Sequence, residues 1–272
     1  MKGLIFTYAL TYGGAVASLF NPFYGLLVYF CFAVVRPEAL WHWSVPAGGN
    51  YSRTVAIALL VGWALHGFGN WNFGRAKPII YALLGYWGWC VLSAVGAVDQ
   101  GAAWRQVEAF SKVVLPFVVG ATLIDSVEKL KQVAYVLVLS QAYVALELNR
   151  AYYAGFNWVL DIGFGGMDNN CVSVGMVAMA GMAFFLGMGE RVWWRKWPLF
   201  ASAALMAHVP MFANSRGGML GLIVTGVAAF FLVPKTSKNL AIFALATFAG
   251  LALAGPSVIE RFSTTFVDEE ER

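Results

Sequence analysis

Residues 198–233 read PLFASAALMAHVPMFANSRGGMLGLIVTGVAAFFLV. Two apolar stretches, Pro198–Ala213 and Met219–Val233, flank a polar gap, Asn214-Ser215-Arg216-Gly217-Gly218. Neither stretch carries an acidic or basic residue that is charged at neutral pH. With borrowed flanking residues, each approaches the roughly 17–25 residues that cross a bilayer as a helix. The same pattern recurs along the chain, at Leu4–Leu19, Phe23–Val35, Thr54–Phe68, Ile79–Val98, Val107–Ile124, Gln132–Leu148, Asn170–Gly189, Pro198–Ala213, Gly218–Val233 and Leu240–Ala254. Leu4–Val35 is too long for one span, and Asn21-Pro22 divides it into a tight hairpin or a sharply kinked pair. Composition agrees: 60% of residues are hydrophobic and only 12% charged, with 11 Trp, 21 Phe and 11 Tyr. That excludes soluble globular and nucleic-acid-binding classes. The expected fold is all-α, a polytopic integral membrane helical bundle of about nine or ten transmembrane helices. Residues 1–272 read as a single transmembrane domain with no soluble module and no internal repeat.

The net charge of +4 is spread over loops, so it reports orientation rather than polyanion binding. Arg75 and Lys77, then Lys129 and Lys131, then Arg191, Arg195 and Lys196, then Lys235 and Lys238 fall in alternate loops. The positive-inside rule makes that side cytoplasmic. Residues 36–53, 99–106, 149–169, the Arg216 gap and the tail 255–272 then fall on the outer side, the periplasm of a Gram-negative cell. Trp41, Trp43, Trp71, Trp193, Trp194 and Trp197 cluster next to span ends, where amphipathic rings favour the headgroup layer. Gly175, Gly181 and Gly187 give one span a small-residue face for close helix packing. Cys31, Cys90 and Cys171 lie in separate spans without metal-ligand spacing and read as small core residues.

Arg216 is the charge that most needs a reason, because membrane-embedded sequence excludes charge unless function requires it. Ser215 or Asn214 can cap a helix beginning near Gly217. The adjacent glycines let backbone N–H groups approach a ligand at a helix N-terminus, whose partial positive charge favours anions. A guanidinium there suits phosphate oxygens, which it grips in a planar fork; a snorkelling cap residue is the bland alternative. Asp168-Asn169-Asn170 enters another span from the same outer side. These side chains offer donors and acceptors to sugar hydroxyls, or serve as ordinary helix caps. Gly163, Gly165 and Gly166 make the preceding loop deformable. The candidate substrate-binding residues are therefore Arg216, Ser215, Asn214, Gly217, Asp168, Asn169 and Asn170. Glu108 and Lys112 have the spacing of a structural ion pair. Arg105 and Arg150 read as solvated rim residues, and Glu147 as a snorkelling or paired side chain. His42, His66 and His208 are isolated, so no metal site is expected. His208 reads as a hydrogen-bonded structural histidine, with general base as the alternative. Neither a Walker loop, a dinucleotide-binding glycine signature nor a nucleophile elbow is present. The spans lack matching halves with paired broken helices, which gives a transporter little support.

Asp168-Asn169-Asn170 opening one span and Ser215-Arg216-Gly217-Gly218 opening another resemble the O-antigen ligase and polymerase superfamily. The tail from Arg261 to Glu271 resembles it too. The closer likeness is to the O-glycosylation ligases associated with exosortase systems, a branch that Asn21-Pro22, Arg36-Pro37 and the Ala103-Trp104 to Lys112 stretch also fit. The resemblance implies a GT-C-like glycosyltransferase of the bacterial inner membrane. It would move a glycan from an undecaprenyl-pyrophosphate carrier to an acceptor at the periplasmic face, without metal or other cofactor because the donor is already activated. Arg216 maps onto the family's pyrophosphate-binding arginine. The implied partners are the polyprenyl-pyrophosphate-linked glycan donor, a hydroxyl-bearing glycan acceptor and membrane lipids, with no nucleic acid. The family continues into a large periplasmic loop that bears a further arginine and a histidine used in transfer. This chain stops at Arg272, so the expectation is an N-terminal part of a longer enzyme whose catalytic residues lie on that loop. A lipid-linked oligosaccharide polymerase of the same superfamily, and a transporter or scaffold for polysaccharide export, are the competing readings.

Overall fold

The computed structural model describes residues 1–253, which form helices joined by short turns, with no β-strand among them. In chain order the helices are α1 (Lys2–Phe20), α2 (Pro22–Val35), α3 (Pro37–Leu40), α4 (Tyr51–Leu65), α5 (Lys77–Val95), α6 (Gln100–Leu123) and α7 (Val127–Tyr153). They continue with α8 (Trp158–Asp161), α9 (Asn169–Gly189), α10 (Trp193–Phe212), α11 (Arg216–Leu232) and α12 (Ser237–Leu253). Every apolar stretch marked in the sequence holds one of these helices. Ala254, the end of the last stretch, and the tail with its family-like residues lie outside the described residues. Among the described residues five helical segments, Lys2–Phe20, Pro22–Leu40, Gly74–Val95, Gln100–Leu123 and Asn169–Gly189, are long and apolar enough to cross a membrane; α4 and α11 are apolar but shorter.

Burial on α1 runs opposite to that of a water-soluble helix. Its buried residues are Gly3, Thr7, Thr11, Gly14 and Ser18, a stripe of small and hydroxyl-bearing side chains at spacings of four, four, three and four. Ile5, Tyr12, Val16 and Phe20 are exposed. Water would reverse that arrangement; lipid permits it, because packing between spans rests on close approach rather than on hiding apolar surface. Each buried hydroxyl is satisfied within the helix: Thr7 donates to the Gly3 carbonyl at 2.7 Å, Thr11 to Thr7 at 2.7 Å and Ser18 to Gly14 at 2.6 Å. On α5, Tyr81, Tyr86, Trp89 and Leu92 are likewise exposed, a face that needs a lipid solvent.

The described chain divides into two compact units. The first comprises Met1–Ala33 and Trp41–Val133. Asn21 is extended (φ −151°, ψ 106°) and Pro22 starts α2. A Cβ on Gly25 would lie 2.0 Å from Ser18 Oγ, and one on Gly14 2.8 Å from Val28. Positions 18 and 14 therefore face 25 and 28, and the opening pair is an antiparallel hairpin rather than a kinked helix. Helix α4 packs on α1 so closely that a Cβ on Gly62 would lie 2.0 Å from the Ser18 carbonyl oxygen. Indole N–H groups tie the rest: Trp63 donates to Thr122 Oγ1 and Trp87 to Ser111 Oγ, both at 2.9 Å. Lys112 and Glu108 form the ion pair their spacing predicts, at 2.8 Å.

The second unit comprises Val34–Leu40 and the chain from Ala134 onward. Helices α9, α10 and α11 form its layer. A Cβ on Gly187 would lie 3.0 Å from the Phe200 ring of α10, and one on Gly181 3.1 Å from Thr225 of α11. The small residues of α9 thus serve two neighbours rather than one face, and Gly175 meets only Gln141 Nε2, at 4.0 Å. Because α10 returns along α9 and α11 runs back beside both, the starts of α9 and α11 meet the end of α10 at one end of the unit. Cys171, expected in the core, is exposed in the first turn of α9.

Gly62→Ala should lower the melting temperature of the detergent-solubilised protein, with an overpacking cost of about 1–3 kcal/mol. Gly85→Ala, where a Cβ meets nothing within 4 Å, should raise it slightly through helix propensity. Equal effects from the two variants would contradict the α1–α4 contact.

Candidate functional site

The two polar openings singled out in the sequence are one structure. Ser215 is the N-cap of α11; its Oγ accepts from the Gly218 N–H at 3.1 Å. The same hydroxyl donates to Asn170 Oδ1, in the first turn of α9, at 2.8 Å. Asn169 Nδ2 donates to the Ala213 carbonyl at 3.0 Å, and Asp168 caps α9 by accepting from the Cys171 N–H at 2.7 Å. Gly218 lacks the Cβ that would stand 2.6 Å from Ser173 Cβ and 3.0 Å from Pro210 Cβ. Asn169, Asn170 and Ser215 thereby stitch two helix N-termini to the end of α10. Ser215 is fully buried, while Gly217 is exposed, with nothing within 4 Å of the place a Cβ would take. Arg216 is half-buried as the first residue of α11.

Asn214 has a different local role from the helix cap expected of it. It adopts the left-handed conformation (φ +51°). Its N–H reaches the Met211 carbonyl at 3.2 Å, while Ser215 N–H reaches the Pro210 carbonyl at 3.3 Å. These paired bonds are a Schellman closure of α10, in which Asn is the usual substitute for Gly. Asn214 Oδ1 is buried without a hydrogen-bond partner. A buried acceptor left unmade costs on the order of 1–3 kcal/mol, so this oxygen is a standing demand for a donor at the site.

The loop before α9 is tighter than its glycines suggested. Phe164 and Met167 exchange both backbone hydrogen bonds at 3.0 Å. Gly165 and Gly166 both have positive φ (+59° and +80°), the requirement of a type I′ turn. Buried Phe164 anchors the loop against Trp158, with ring centroids 6.0 Å apart. Arg36 Nη1 donates to the Gly165 carbonyl, and a Cβ on Gly165 would lie 2.5 Å from Arg36 Cδ. Nothing local in the sequence pairs residues 36 and 165.

The two N-termini differ electrostatically. Backbone N–H groups of Cys171 and Asn170 hold the Asp168 carboxyl below its ordinary value, so at neutral pH a full negative charge answers the partial positive end of α9. Helix α11 is capped by a neutral hydroxyl instead. Its first turn adds the Arg216 guanidinium and the exposed Gly217. A neutral cap and a guanidinium make the α11 end the more attractive of the two to an anion. Among the described residues no three His, Cys, Asp or Glu side chains gather to hold a metal ion.

No known protein family model matches the chain, and no characterised protein or solved structure matches it either.

Asn214→Gly should keep or raise thermal stability, since glycine tolerates positive φ, whereas Asn214→Ala should cost about 1–2 kcal/mol. Ser215→Ala should cost about 1–2 kcal/mol through the lost cap alone. The Asp168 cap is fully present above the ordinary carboxylate value of about 3.9 and is lost as pH falls through its lowered folded value. Acid melting curves of Asp168→Asn should therefore lack that acid limb.

Proposed function

We propose that this chain is the membrane-embedded part of a GT-C-like glycan ligase, and that the α11 N-terminus binds the diphosphate of a polyprenyl-linked glycan donor. One observation carries the reading. A helix N-terminus capped by a neutral hydroxyl bears an arginine at its first position, beside an open glycine. Charge-assisted hydrogen bonds contribute about 1.5–3 kcal/mol each, more than the roughly 0.3–1 kcal/mol of the helix end. Arg216 thus supplies most of the attraction, and the backbone N–H groups orient the anion. As the acceptor hydroxyl attacks the anomeric carbon and gives its proton to a general base, the bond to the lipid diphosphate breaks and negative charge grows on the leaving oxygen. Arg216 stabilises that charge. In this reading the α9–α11 end of the second unit faces the periplasm, in agreement with the basic loops lying on the cytoplasmic side.

Transfer of a labelled glycan from polyprenyl diphosphate to a hydroxyl acceptor, measured with the full-length enzyme in vesicles, tests this. Arg216→Ala should reduce transfer roughly a hundredfold or more with insertion intact, and Arg216→Lys should restore only part of it, because the fork is lost. Unchanged transfer by Arg216→Ala removes the residue from the reaction. A cysteine at position 216 that a membrane-impermeant maleimide reaches only from the cytoplasmic side overturns the orientation.

A further inference from the structure

On α7, Leu146, Asn149, Arg150 and Tyr153 recur at i, i+3, i+4 and i+7. On α10, Ala201, Ala204, Leu205 and His208 repeat that spacing. Each set is one helix face, and the two faces line a groove of about 750 Å³. Small residues make the room: Ala201 and Ala204 leave open the space that larger side chains on α10 would fill. The lining changes along the groove. Toward the middle of both helices it is Leu146, Ala201, Ala204 and Leu205; toward their ends it becomes Asn149, Arg150, Tyr153 and His208.

The polar end is held in one arrangement. Asn149 Nδ2 donates to the carbonyls of Ala145 (2.7 Å) and Leu205 (3.1 Å), which fixes the amide and turns Oδ1 toward His208 Nδ1 at 2.6 Å. The acceptor there requires a proton on Nδ1, so the lone pair of the neutral imidazole is on Nε2. Nε2 takes no hydrogen bond from any described residue. The ring lies parallel to Tyr153 (5.7 Å, 7°) and edge-on to Phe212 (5.2 Å). Tyr153 is 70% exposed. Arg150 meets Glu147 at 3.2 Å, which offsets its charge but leaves guanidinium N–H groups to donate.

We propose that this groove binds a membrane lipid with a saccharide headgroup. The tail lies along the apolar half, a sugar hydroxyl donates to His208 Nε2, the C–H face of the sugar ring rests on Tyr153 and Arg150 donates to a further sugar oxygen. An apolar half set among membrane helices selects an amphiphile over a free sugar. An acceptor nitrogen selects a hydroxyl, which a phosphodiester does not offer, and Glu147 beside Arg150 removes the net charge that would favour an anionic headgroup. The bound lipid is the hydroxyl acceptor of the transfer reaction, an assignment of role that rests on the reading above; the binding itself does not.

Native mass spectrometry of the full chain, released from polyoxyethylene detergent with added monoglucosyl diacylglycerol, dioleoylglycerol or dioleoyl phosphatidylmethanol (an anionic phosphodiester without a hydroxyl), tests the proposal. The glucosyl lipid should be retained about tenfold more than dioleoylglycerol. His208→Phe, which keeps the stacked ring and loses the acceptor, should remove that preference, and so should Tyr153→Ala. A diazirine on the glucosyl lipid's tail should label the 146–153 and 201–208 faces, a readout that needs no variant to fold. Labelling elsewhere, wild-type retention by both variants, or equal retention of phosphatidylmethanol overturns the proposal. Arg216→Ala should leave retention unchanged, so loss of transfer in that variant with glucosyl-lipid binding intact supports the two sites separately. Unaltered transfer with binding intact sinks only the diphosphate reading.

Discussion

The Ser215 hydroxyl stands where two helix N-termini and one helix C-terminus converge, and it has one proton and two lone pairs with which to serve them. It gives the proton to Asn170 Oδ1 and a lone pair to the Gly218 N–H. In water either partner would find a substitute. At a fully buried position among membrane helices there is none, and an orphaned backbone group costs several kcal/mol. The bond therefore fixes where α11 begins relative to α9, and with it the direction of the Gly217 N–H and the placement of Arg216.

That precision depends on how closely the backbones approach. Ser215 reaches Asn170 because Gly218 presents no Cβ to Ser173 and Pro210. The same device recurs in the first unit, where Gly62 admits the Ser18 carbonyl. Hydrophobic side chains cannot supply this grip, since lipid tails satisfy them equally well. Small residues supply contact, and hydroxyls and amides supply direction. The buried stripe of α1 and the stitched end of α9 are one solution applied to a helix face and to a helix terminus.

Much of this is written locally in the sequence. Apolar length locates the helices, since each backbone segment in lipid must satisfy its own hydrogen bonds and so must be helical. Asp168 and Ser215 are legible as caps because a cap is chosen by residues within one turn. What the sequence conceals is partner choice across distance. Arg36 and Gly165 are 129 positions apart, and Asn149 with His208 are 59 apart; no periodicity encodes such pairs. Asn214 escapes a sequence reading for a subtler reason. Asn is favoured both at a helix start and in the left-handed position after a helix end, and only the carbonyls of Met211 and Pro210 decide between them. The glycines near 165 mislead in the opposite direction, since residues that permit flexibility also satisfy the one rigid turn that requires positive φ twice.

The end of α10 shows how the second unit keeps unlike chemistries apart within a short distance. A helix C-terminus carries partial negative charge and orphaned carbonyls, which would repel an anion held by Arg216. Here those carbonyls are answered by neutral amides: Asn157 Nδ2 donates to Phe212 at 2.7 Å and Asn169 Nδ2 to Ala213 at 3.0 Å. Cations in those places would have competed with Arg216 for the same ligand; amides satisfy the oxygens without adding charge. One turn earlier on α10, His208 is oriented by a third amide, Asn149, again without a formal charge. The three asparagines thus make α10 a neutral divider. In the proposed reading a diphosphate settles on its α11 side and a hydroxyl-bearing headgroup on its α7 side, because amides rather than charged groups answer the polar atoms between them.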